Sequence, residues 1–440
     1  MTAATRQVHR DLRRMPAIAT HAQGAWIDAG GRRFLDACGG AAVMSVGHGH
    51  PDVLDAMRDQ IGRVSYLHSS FFTSAASEQL ADRLASMAPR GLEAAMFVSS
   101  GSEAVESALK LARQSAVELG ERQRTVVVSR RASYHGNTLG ALAVGGHAGR
   151  RRIYEPWLNH VEFVDPCYQY RGLRPGEREA DYSARLVADF EELINRIGGD
   201  RVLAFVAETV VGATLGAVPP TAGYFRGIRE VCDRYGILLL LDEVMCGSGR
   251  TGSFFAFEQE GVVPDLSVLA KGLGGGYVPI SAVMAGPRVL EPVRSGSAAL
   301  ANGFTCMGHP LACGTALAVL EVMERERLLE NVQRRGTELL ESLAWEFRDH
   351  PHVGDVRGRG LFVGIEFVAD RDTKTPYETT ERLASRLKDA AMDEELLVYA
   401  GTGTADGIRG DHLLIAPPYT ASSAEIGQIV ERLSRAVGKV

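Results

Sequence analysis

The chain has 440 residues, of which 45% are hydrophobic, and its formal net charge at pH 7 is −6. These values are typical of a soluble globular protein with room for two or three domains, and they argue against nucleic acid as a partner. Six scattered cysteines without a CxxC pair favour a reducing compartment over a disulfide framework or a zinc site. No metal is therefore predicted.

The amino-terminal residues carry arginines but no apolar segment behind them, which is unlike a secretory signal. No apolar run reaches the length of about eighteen residues that a membrane-spanning helix needs. We therefore predict a cytoplasmic protein without a membrane partner.

The predicted elements begin with two short strands, Ala25–Asp28 and Arg33–Ala37, around a glycine turn. Amphipathic helices follow, one starting near Pro51 and one over residues 77–88. Seven short apolar runs then alternate with helical segments. They are Ala95–Ser99, Thr125–Ser129, Val161–Val164, Leu203–Ala207, Ile237–Leu241, Leu266–Ala270 and Ser281–Ala285. This alternation predicts an α/β fold with a mostly parallel, seven-stranded sheet between helices.

A second, smaller α+β domain is predicted after the helical region Leu311–Phe347, and both chain ends are expected to share it. Residues 1–60 are assigned to an amino-terminal arm and part of the small domain. Residues 61–325 are assigned to the large domain, and residues 326–440 to the carboxy-terminal part of the small domain.

Two charged residues stand where buried strands end. Asp242 follows the run Ile237–Leu241, and Lys271 follows the run Leu266–Ala270. In open α/β sheets, ligands bind beyond the carboxyl ends of the strands. A buried charge is costly without a partner, and a ring nitrogen for Asp242 and an aldehyde for Lys271 would remove that cost. Pyridoxal phosphate (PLP) supplies both groups. The neighbouring Glu243 is expected to point to the other side and to form a salt bridge.

The turn Ser100-Gly101-Ser102 opens the helix after the first strand of the alternating pattern. Glycine lets the backbone approach a ligand, and the free N–H groups of a helix start favour an anion such as phosphate. A serine-rich helix cap has the same pattern, so this turn alone leaves both interpretations open.

Two further strand ends carry candidate site residues. Tyr134 and His135 follow the second strand, and the tyrosine ring could stack on a flat ligand or pack as an ordinary loop aromatic. Glu208 ends the strand Leu203–Ala207, where a carboxylate indicates either a cleft or a surface position.

Taken together, these residues resemble the class III aminotransferases, which are PLP enzymes of fold type I. The resemblance runs over nearly the whole chain, from GAWIDAGGRRFLD and GHGHP to IAPPY. Its most specific part is LLLDEV, then GRTG, then PDLSVLAKGLGGG. The segments SSGSEA, YHG, AETVVG and FTCMGHPLACGTAL match as well.

The resemblance implies a role for each of these residues. Lys271 would be the Schiff-base lysine and the proton carrier, and Asp242 would pair with the pyridine nitrogen. Val244 would pack on one face of the ring and Tyr134 on the other. His135 and Glu208 would belong to the same site.

The resemblance also implies a shared site between subunits. Ser100, Gly101 and Ser102 would hold the phosphate, and Thr305 would reach the phosphate of the neighbouring subunit's cofactor. The enzyme is therefore expected to be a homodimer or a tetramer of such dimers.

The predicted substrate pocket departs from the family members that use 2-oxoglutarate. Leu414 stands where the γ-aminobutyrate type carries a fixed arginine, and Met245 replaces a glutamine. Arg409, in a glycine-rich loop, resembles the mobile arginine of ω-amine:pyruvate members, although a surface charge is an equal alternative. Ala42 is small where some ω-amine enzymes carry tryptophan. Arg409 and Ala42, with Tyr134 and Glu208, form the predicted substrate site.

These features predict an aminotransferase that moves an amino group from an ω-amine or a β/γ-amino acid to a keto acid, with pyruvate as the expected acceptor. The reaction would run as two half-reactions of a ping-pong mechanism. A 2-oxoglutarate-linked ω-amino acid aminotransferase is the first alternative. An aminomutase, a PLP-dependent decarboxylase and a non-catalytic binding protein remain as further alternatives.

Overall fold

The computed structural model describes residues 6–12 and 15–440. Parts of the predicted amino-terminal arm, residues 1–5 and 13–14, lie outside the described residues. The strands in chain order are β1 (Ala19–Gln23), β2 (Trp26–Ala29), β3 (Arg32–Asp36), β4 (Ala94–Val98), β5 (Val126–Arg130), β6 (Glu162–Val164), β7 (Val202–Glu208), β8 (Leu238–Asp242), β9 (Leu266–Leu269), β10 (Ser281–Ala285), β11 (Val353–Gly358), β12 (Val363–Phe367), β13 (Leu396–Leu397), β14 (Tyr399–Thr402) and β15 (Asp411–Ile415).

The α-helices surround these strands. In chain order they are α1 (Gly39–Ala42), α2 (Pro51–Arg63), α3 (Ala75–Met87), α4 (Gly101–Glu118), α5 (Leu139–Val144), α6 (Ala148–Arg151), α7 (Gln169–Gly172), α8 (Glu179–Ile197), α9 (Tyr224–Tyr235), α10 (Pro287–Ser295), α11 (Pro310–Arg325), α12 (Leu328–Glu346), α13 (Leu383–Asp393) and α14 (Ser423–Val437). No helix within the described ranges is long and apolar enough to cross a membrane.

The central sheet has seven strands in the order β4-β10-β9-β8-β7-β5-β6. Strands β9, β8, β7, β5 and β6 are parallel to one another, whereas β10 is antiparallel to both β9 and β4. The predicted α/β fold with a mostly parallel seven-stranded sheet is confirmed.

Strand β8 shows why a central strand of this sheet has an uninterrupted apolar sequence. Leu239 and Leu241 belong to one hydrophobic core, and Leu238 and Leu240 belong to another. Because successive side chains point to opposite faces, a strand covered by helices on both faces must be apolar at every position. The run can therefore end only where the helices stop covering it, which is where Asp242 stands.

The chain ends meet in two smaller sheets, with strand orders β1-β2-β3-β13 and β11-β12-β15-β14. The predicted hairpin is present as β2 and β3, and β13 pairs with β3 in parallel through Leu35 and Leu396. The predicted helical region after the large sheet is divided between α11 and α12, with Arg327 in the left-handed conformation between them. The domain boundaries themselves stay a prediction.

Arg250, from the GRTG segment, joins the central sheet to the smaller sheets. Its buried guanidinium donates hydrogen bonds to the carbonyl oxygens of Leu361, Pro417 and Met44 and packs on the ring of Tyr419. A buried charge must be solvated by the protein, and here three carbonyl groups take that role. This cluster fixes the position of the chain around residue 44 beside the ends of the parallel strands.

Candidate active site

A cavity of about 270 Å³ lies at the carboxyl ends of the parallel strands. Nine residues that the sequence predicted for the cofactor site line this cavity. They are Ser100, Gly101, Ser102, Tyr134, His135, Glu208, Asp242, Val244 and Lys271. They come from five separate segments of the chain, and the parallel sheet brings them together because its strands end at one edge.

Asp242, the last residue of β8, is buried, and each of its carboxylate oxygens has one hydrogen-bond partner among the described residues. Its Oδ2 is 2.8 Å from His135 Nδ1, and its Oδ1 accepts a hydrogen bond from the backbone N–H of Val244 at 2.9 Å. A carboxylate only accepts, so His135 must carry its proton on Nδ1. His135 Nε2 has no partner among the described residues. This contact with Asp242 is a role that the sequence did not indicate for His135.

Lys271 follows β9 and has a left-handed backbone, with φ of 45°. Burial lowers its pKa to about 8, and the charges of Asp242 and Glu208 oppose that shift. Its Nζ makes no hydrogen bond or ion pair in the part of the chain that the structure describes. Non-glycine residues rarely adopt this backbone conformation, and such strain is concentrated at functional sites. An amine with a pKa of about 8 is mainly protonated at physiological pH, but it has a far larger neutral fraction than an ordinary lysine.

Ser100 caps α4, since its hydroxyl oxygen accepts a hydrogen bond from the backbone N–H of Glu103 at 3.2 Å. Ser102 Oγ accepts from the N–H of Asn137 at 2.9 Å. The capping interpretation of this turn is thus correct for Ser100, and the turn also lines the cavity. The first N–H groups of an α-helix have no partner within the helix, so this end of the cavity favours an anion.

Two glycines keep this end of the cavity open. A Cβ on Gly101 would lie 3.0 Å from Val244 Cγ1, and a Cβ on Gly136 would lie 2.6 Å from Ser102 Oγ. Gly136 also has φ of +139°, a conformation that other residues rarely adopt. A side chain at either glycine would therefore collide with Val244 or Ser102 unless these residues moved.

Glu208 is buried, so the surface alternative for this residue is wrong. Its two carboxylate oxygens accept hydrogen bonds from the backbone N–H groups of Tyr134, at 3.0 Å, and Gly212, at 2.8 Å. Burial raises its pKa, and the nearby His135 opposes that shift. Arg130 donates to the carbonyl oxygen of Glu208 and not to its carboxylate. No arginine pairs with the Glu208 side chain among the residues described.

The expected salt bridge of Glu243 is absent from the described residues. The side chain is fully buried and accepts hydrogen bonds from Thr209 Oγ1 and from the backbone N–H groups of Ala256 and Phe257. Burial raises its pKa to about 7. Backbone donors replace a cation here because the side chain points into the turn after β8, where the N–H groups of residues 256 and 257 converge.

Three predicted site residues do not line the cavity. Ala42 is buried beside Met245 and Leu414, one position before Val43, which does line the cavity. Thr305 is exposed, and its carbonyl accepts a hydrogen bond from Tyr66 Oη at 3.1 Å. Arg409 is held in its own loop.

The Arg409 side chain pairs with two carboxylates. Its Nε is 2.8 Å from Asp406 Oδ2, and its Nη1 is 3.0 Å from Glu378 Oε1. The side chain is 41% exposed. In this conformation the Arg409 side chain contacts Asp406 and Glu378 and does not line the cavity.

Other cavity residues were not predicted, notably Val278, Pro279 and Ile280. They precede β10, and Ala282 of that strand lies opposite Leu269. Because β10 is antiparallel, its start lies at the edge where the parallel strands end. The antiparallel direction of β10 could not be predicted, since an apolar strand has the same composition in either direction.

Tyr134 is half-buried at the outer part of the cavity. Burial raises the pKa of its phenol, and the charge of Arg150 opposes that shift. The Arg150 guanidinium lies 4.5 Å from the centre of the Tyr134 ring. Tyr134 is therefore positioned by the hydrogen bond from its backbone N–H to Glu208, and its ring packs against Arg150.

The family model for class III aminotransferases matches residues 7–437. An uncharacterised aminotransferase of Schizosaccharomyces pombe is 44% identical over 96% of this chain and 92% of its own length. The diaminobutyrate–2-oxoglutarate transaminase of Halomonas elongata is 35% identical over 94% of this chain and 88% of its own length.

Solved structures agree with these sequence matches. An (S)-enantioselective ω-transaminase from Thermomicrobium roseum has a TM-score of 0.91 and 34% identity, over 97% of this chain and 93% of that one. The ω-transaminase of Pseudomonas jessenii in complex with PMP has a TM-score of 0.91 and 31% identity, over 96% and 92% of the two chains.

The chain belongs to the class III aminotransferases. It is therefore an enzyme that transfers amino groups, in a family that depends on PLP.

Proposed function

We propose that this aminotransferase binds PLP in the cavity at the strand ends and transfers the amino group of an ω-amine or a β/γ-amino acid to a keto acid, with pyruvate as the acceptor. The observation that carries the cofactor assignment is the presence of a buried amine and a buried carboxylate in the same cavity. Lys271 offers an amine whose pKa is lowered to about 8, and Asp242 offers a buried, hydrogen-bonded carboxylate.

The residues of the cavity fit PLP in chemistry and in space. The turn Ser100-Gly101-Ser102 offers helix N–H groups to a phosphate, and a side chain on Gly101 or Gly136 would crowd Val244 or Ser102 beside it. Tyr134 and Val244 offer apolar faces to a ring. Bound PLP supplies an aldehyde for an amine and a ring that accepts electrons.

The chain's own groups hold and move the protons of the reaction. The Lys271 amine would take a proton from the amine-bearing carbon and pass it to the cofactor within the first half-reaction, and it would carry a proton in the opposite direction in the second. A pKa near 8 lets the amine both accept and donate a proton at physiological pH. Asp242 would pair with the ring nitrogen of the bound cofactor, and His135 Nδ1 and the Val244 N–H hold its carboxylate in place for that role.

The acceptor assignment rests on the lack of a fixed cation inside the cavity. Lys271 is the one basic side chain other than histidine among the cavity-lining residues, and Leu414 is buried in an apolar cluster. A diacid such as 2-oxoglutarate brings a second carboxylate that would need a cation from outside this lining, whereas pyruvate needs no such cation. Two relatives, named for diaminobutyrate with 2-oxoglutarate and for γ-aminobutyrate, support the 2-oxoglutarate-linked alternative.

The remaining sequence predictions belong to the same proposal. Arg409 would leave Asp406 and Glu378 to bind the carboxylate of the keto acid substrate, and Ala42 would leave room behind Met245. Thr305 would reach the cofactor phosphate of a second subunit in a homodimer, and its exposure in one chain fits that role. The cytoplasm stays the expected location.

A spectrophotometric half-reaction tests this proposal. Holoenzyme is mixed with a panel of amines and amino acids, and loss of the visible band of the lysine-bound cofactor is followed together with release of a carbonyl product. Pyruvate and 2-oxoglutarate are then compared for restoring the band. An aminomutase would release no free carbonyl product, and a decarboxylase would release carbon dioxide. Either result would refute amino transfer to an external acceptor.

A further inference from the structure

Arg150 does not line the cavity itself, but it packs on Tyr134, which does. Arg150, in the short helix α6, is exposed, and its guanidinium lies 4.5 Å from the centre of the Tyr134 ring. Its Nη2 is also 3.5 Å from Tyr399 Oη, at the limit of a hydrogen bond. Tyr134 lines the cavity, and Tyr399 packs against the apolar cluster that contains Met245, another lining residue. Arg150 thus connects two aromatic side chains beside the cavity.

Arg150 has no carboxylate partner among the described residues, unlike the nearby Arg151 and Arg409. Arg151 pairs with Glu155, at 3.1 Å, and Arg409 pairs with two carboxylates. Arg150 makes no ion pair with any residue in the ranges 6–12 and 15–440. An unpaired guanidinium that is already oriented by an aromatic ring loses little conformational freedom when it binds a carboxylate.

Glu208 does not pair with the Arg150 guanidinium. Both carboxylate oxygens of Glu208 accept hydrogen bonds from backbone N–H groups. A second cation, Arg10, acts on the same phenol: after burial, which raises the pKa of Tyr134, the charges of Arg150 and Arg10 both oppose the shift. Arg150 and Arg10 are therefore close enough to Tyr134 to act on its phenol, whereas the inner part of the cavity carries Asp242 and Glu208.

We propose that Arg150 binds the carboxylate of the amino donor at the mouth of the cavity. This makes the preferred donors amino acids whose carboxylate lies several bonds away from the amine-bearing carbon. The inference rests on the proposed function, because it assumes that the amine reaches Lys271. The planar fork of the guanidinium can donate two parallel hydrogen bonds to the carboxylate while its face stays on Tyr134.

Arg150→Met tests this role, because methionine keeps much of the aliphatic stem on the Tyr134 ring and removes the charge. With holoenzyme, kcat/KM is measured for 4-aminobutanoate and for butylamine, which lacks the carboxylate. We expect a fall of about 10- to 100-fold for the acid and less than about twofold for the amine. Arg150→Lys should recover part of the loss. Arg152→Ala, which removes an exposed arginine two positions further along, should change neither value.

A binding measurement separates this inference from the proposed function. Calorimetry with glutarate, which has carboxylates but no amine, should show weaker binding to Arg150→Met than to the parent holoenzyme by about the same factor. Equal losses for 4-aminobutanoate and butylamine would assign Arg150 only to the packing of Tyr134 and would overturn the inference. Unchanged glutarate binding, or no binding to the parent enzyme, would also overturn it. If no amine is converted, the proposed function fails, and the glutarate comparison still decides the role of Arg150.

Discussion

The inner and outer parts of the cavity are built in different ways. At the inner part, Asp242 and Glu208 are buried, and each carboxylate is held by donors at fixed positions. Outside the cavity lining, Arg150 is exposed, and the partly exposed Arg409 pairs with two exposed carboxylates. Buried charges exist only where the fold supplies partners, whereas exposed charges can change partners at little cost. The chemistry is thus fixed by the sheet, and the choice of substrate is left to its surroundings.

Removal of the Lys271 amine gives the largest expected effect and tests the inner part directly. Lys271→Ala should lower kcat by at least about 10³-fold, because the proton carrier is lost together with the amine that joins the cofactor. The visible band of the holoenzyme should also disappear. Lys271→Arg, which keeps a cation but offers no neutral amine, should be equally inactive. Turnover within tenfold of the parent enzyme in either variant would contradict the central assignment.

A smaller loss is expected when Asp242 keeps its shape but loses its charge. Asp242→Asn can still accept a hydrogen bond from His135, so the loss of about 10²- to 10³-fold in kcat would report the missing charge. Glu243→Gln is the matched control, since it neutralises the adjacent carboxylate, which does not line the cavity. If both variants remained folded by circular dichroism and lowered kcat equally, the special role of the Asp242 charge would be contradicted.

The pKa of Lys271 predicts how the apo-enzyme takes up PLP. Only the neutral amine attacks an aldehyde, and burial lowers this pKa to about 8. The rate of cofactor attachment should therefore rise with pH and level off above about 8. At pH 8 it should be roughly a hundredfold faster than for a lysine with an ordinary pKa of about 10.4. Stopped-flow absorbance measures this rate, and a continued rise to pH 10 would contradict the lowered pKa.

The crowded backbone at Gly136 should tolerate no side chain. Gly136→Ala combines a left-handed φ with a Cβ that would lie 2.6 Å from Ser102 Oγ, so we expect a loss of about 1–3 kcal/mol in stability together with weaker PLP binding. Gly62→Ala, in α2 with no atom near the added Cβ, is the control and should leave both unchanged. Thermal melting of the apo- and holoenzyme measures the two effects. Parent-like values for Gly136→Ala would show that this turn is not tightly built.

The smallest effect is expected at the outer part, for Arg409→Ala. Its two ion pairs are exposed, so the melting temperature should stay unchanged. In kcat/KM, the loss for 4-aminobutanoate relative to butylamine should be smaller than the loss that Arg150→Met gives. A larger loss for Arg409→Ala would move carboxylate binding to the 403–410 loop and would contradict the assignment to Arg150.

The sequence was informative where burial leaves few choices. Asp242 and Lys271 could be found because a charge directly after a buried strand needs a partner, and the parallel sheet brings all such ends to one edge. The same reasoning reached Glu208 and the turn at Ser100. It missed the segment at Pro279, since strand direction is decided by pairing with β9 and β4 and not by composition. The contact of Arg150 with Tyr134 was equally out of reach, because a flexible surface side chain has no local signal for its partner.

The pairing of β13 with β3 has a consequence for how the protein is made. Leu35 meets Leu396 in this pair, so the ribosome must add roughly 360 residues, the difference between these positions, before the first strands can complete their sheet. At about 5–20 residues per second, this interval is on the order of 20–70 s. Throughout synthesis the edge of β3 is open to other chains, which makes it a natural binding site for chaperones. Premature termination before residue 396 would leave that edge exposed permanently, so truncated chains are expected to aggregate through their amino-terminal strands.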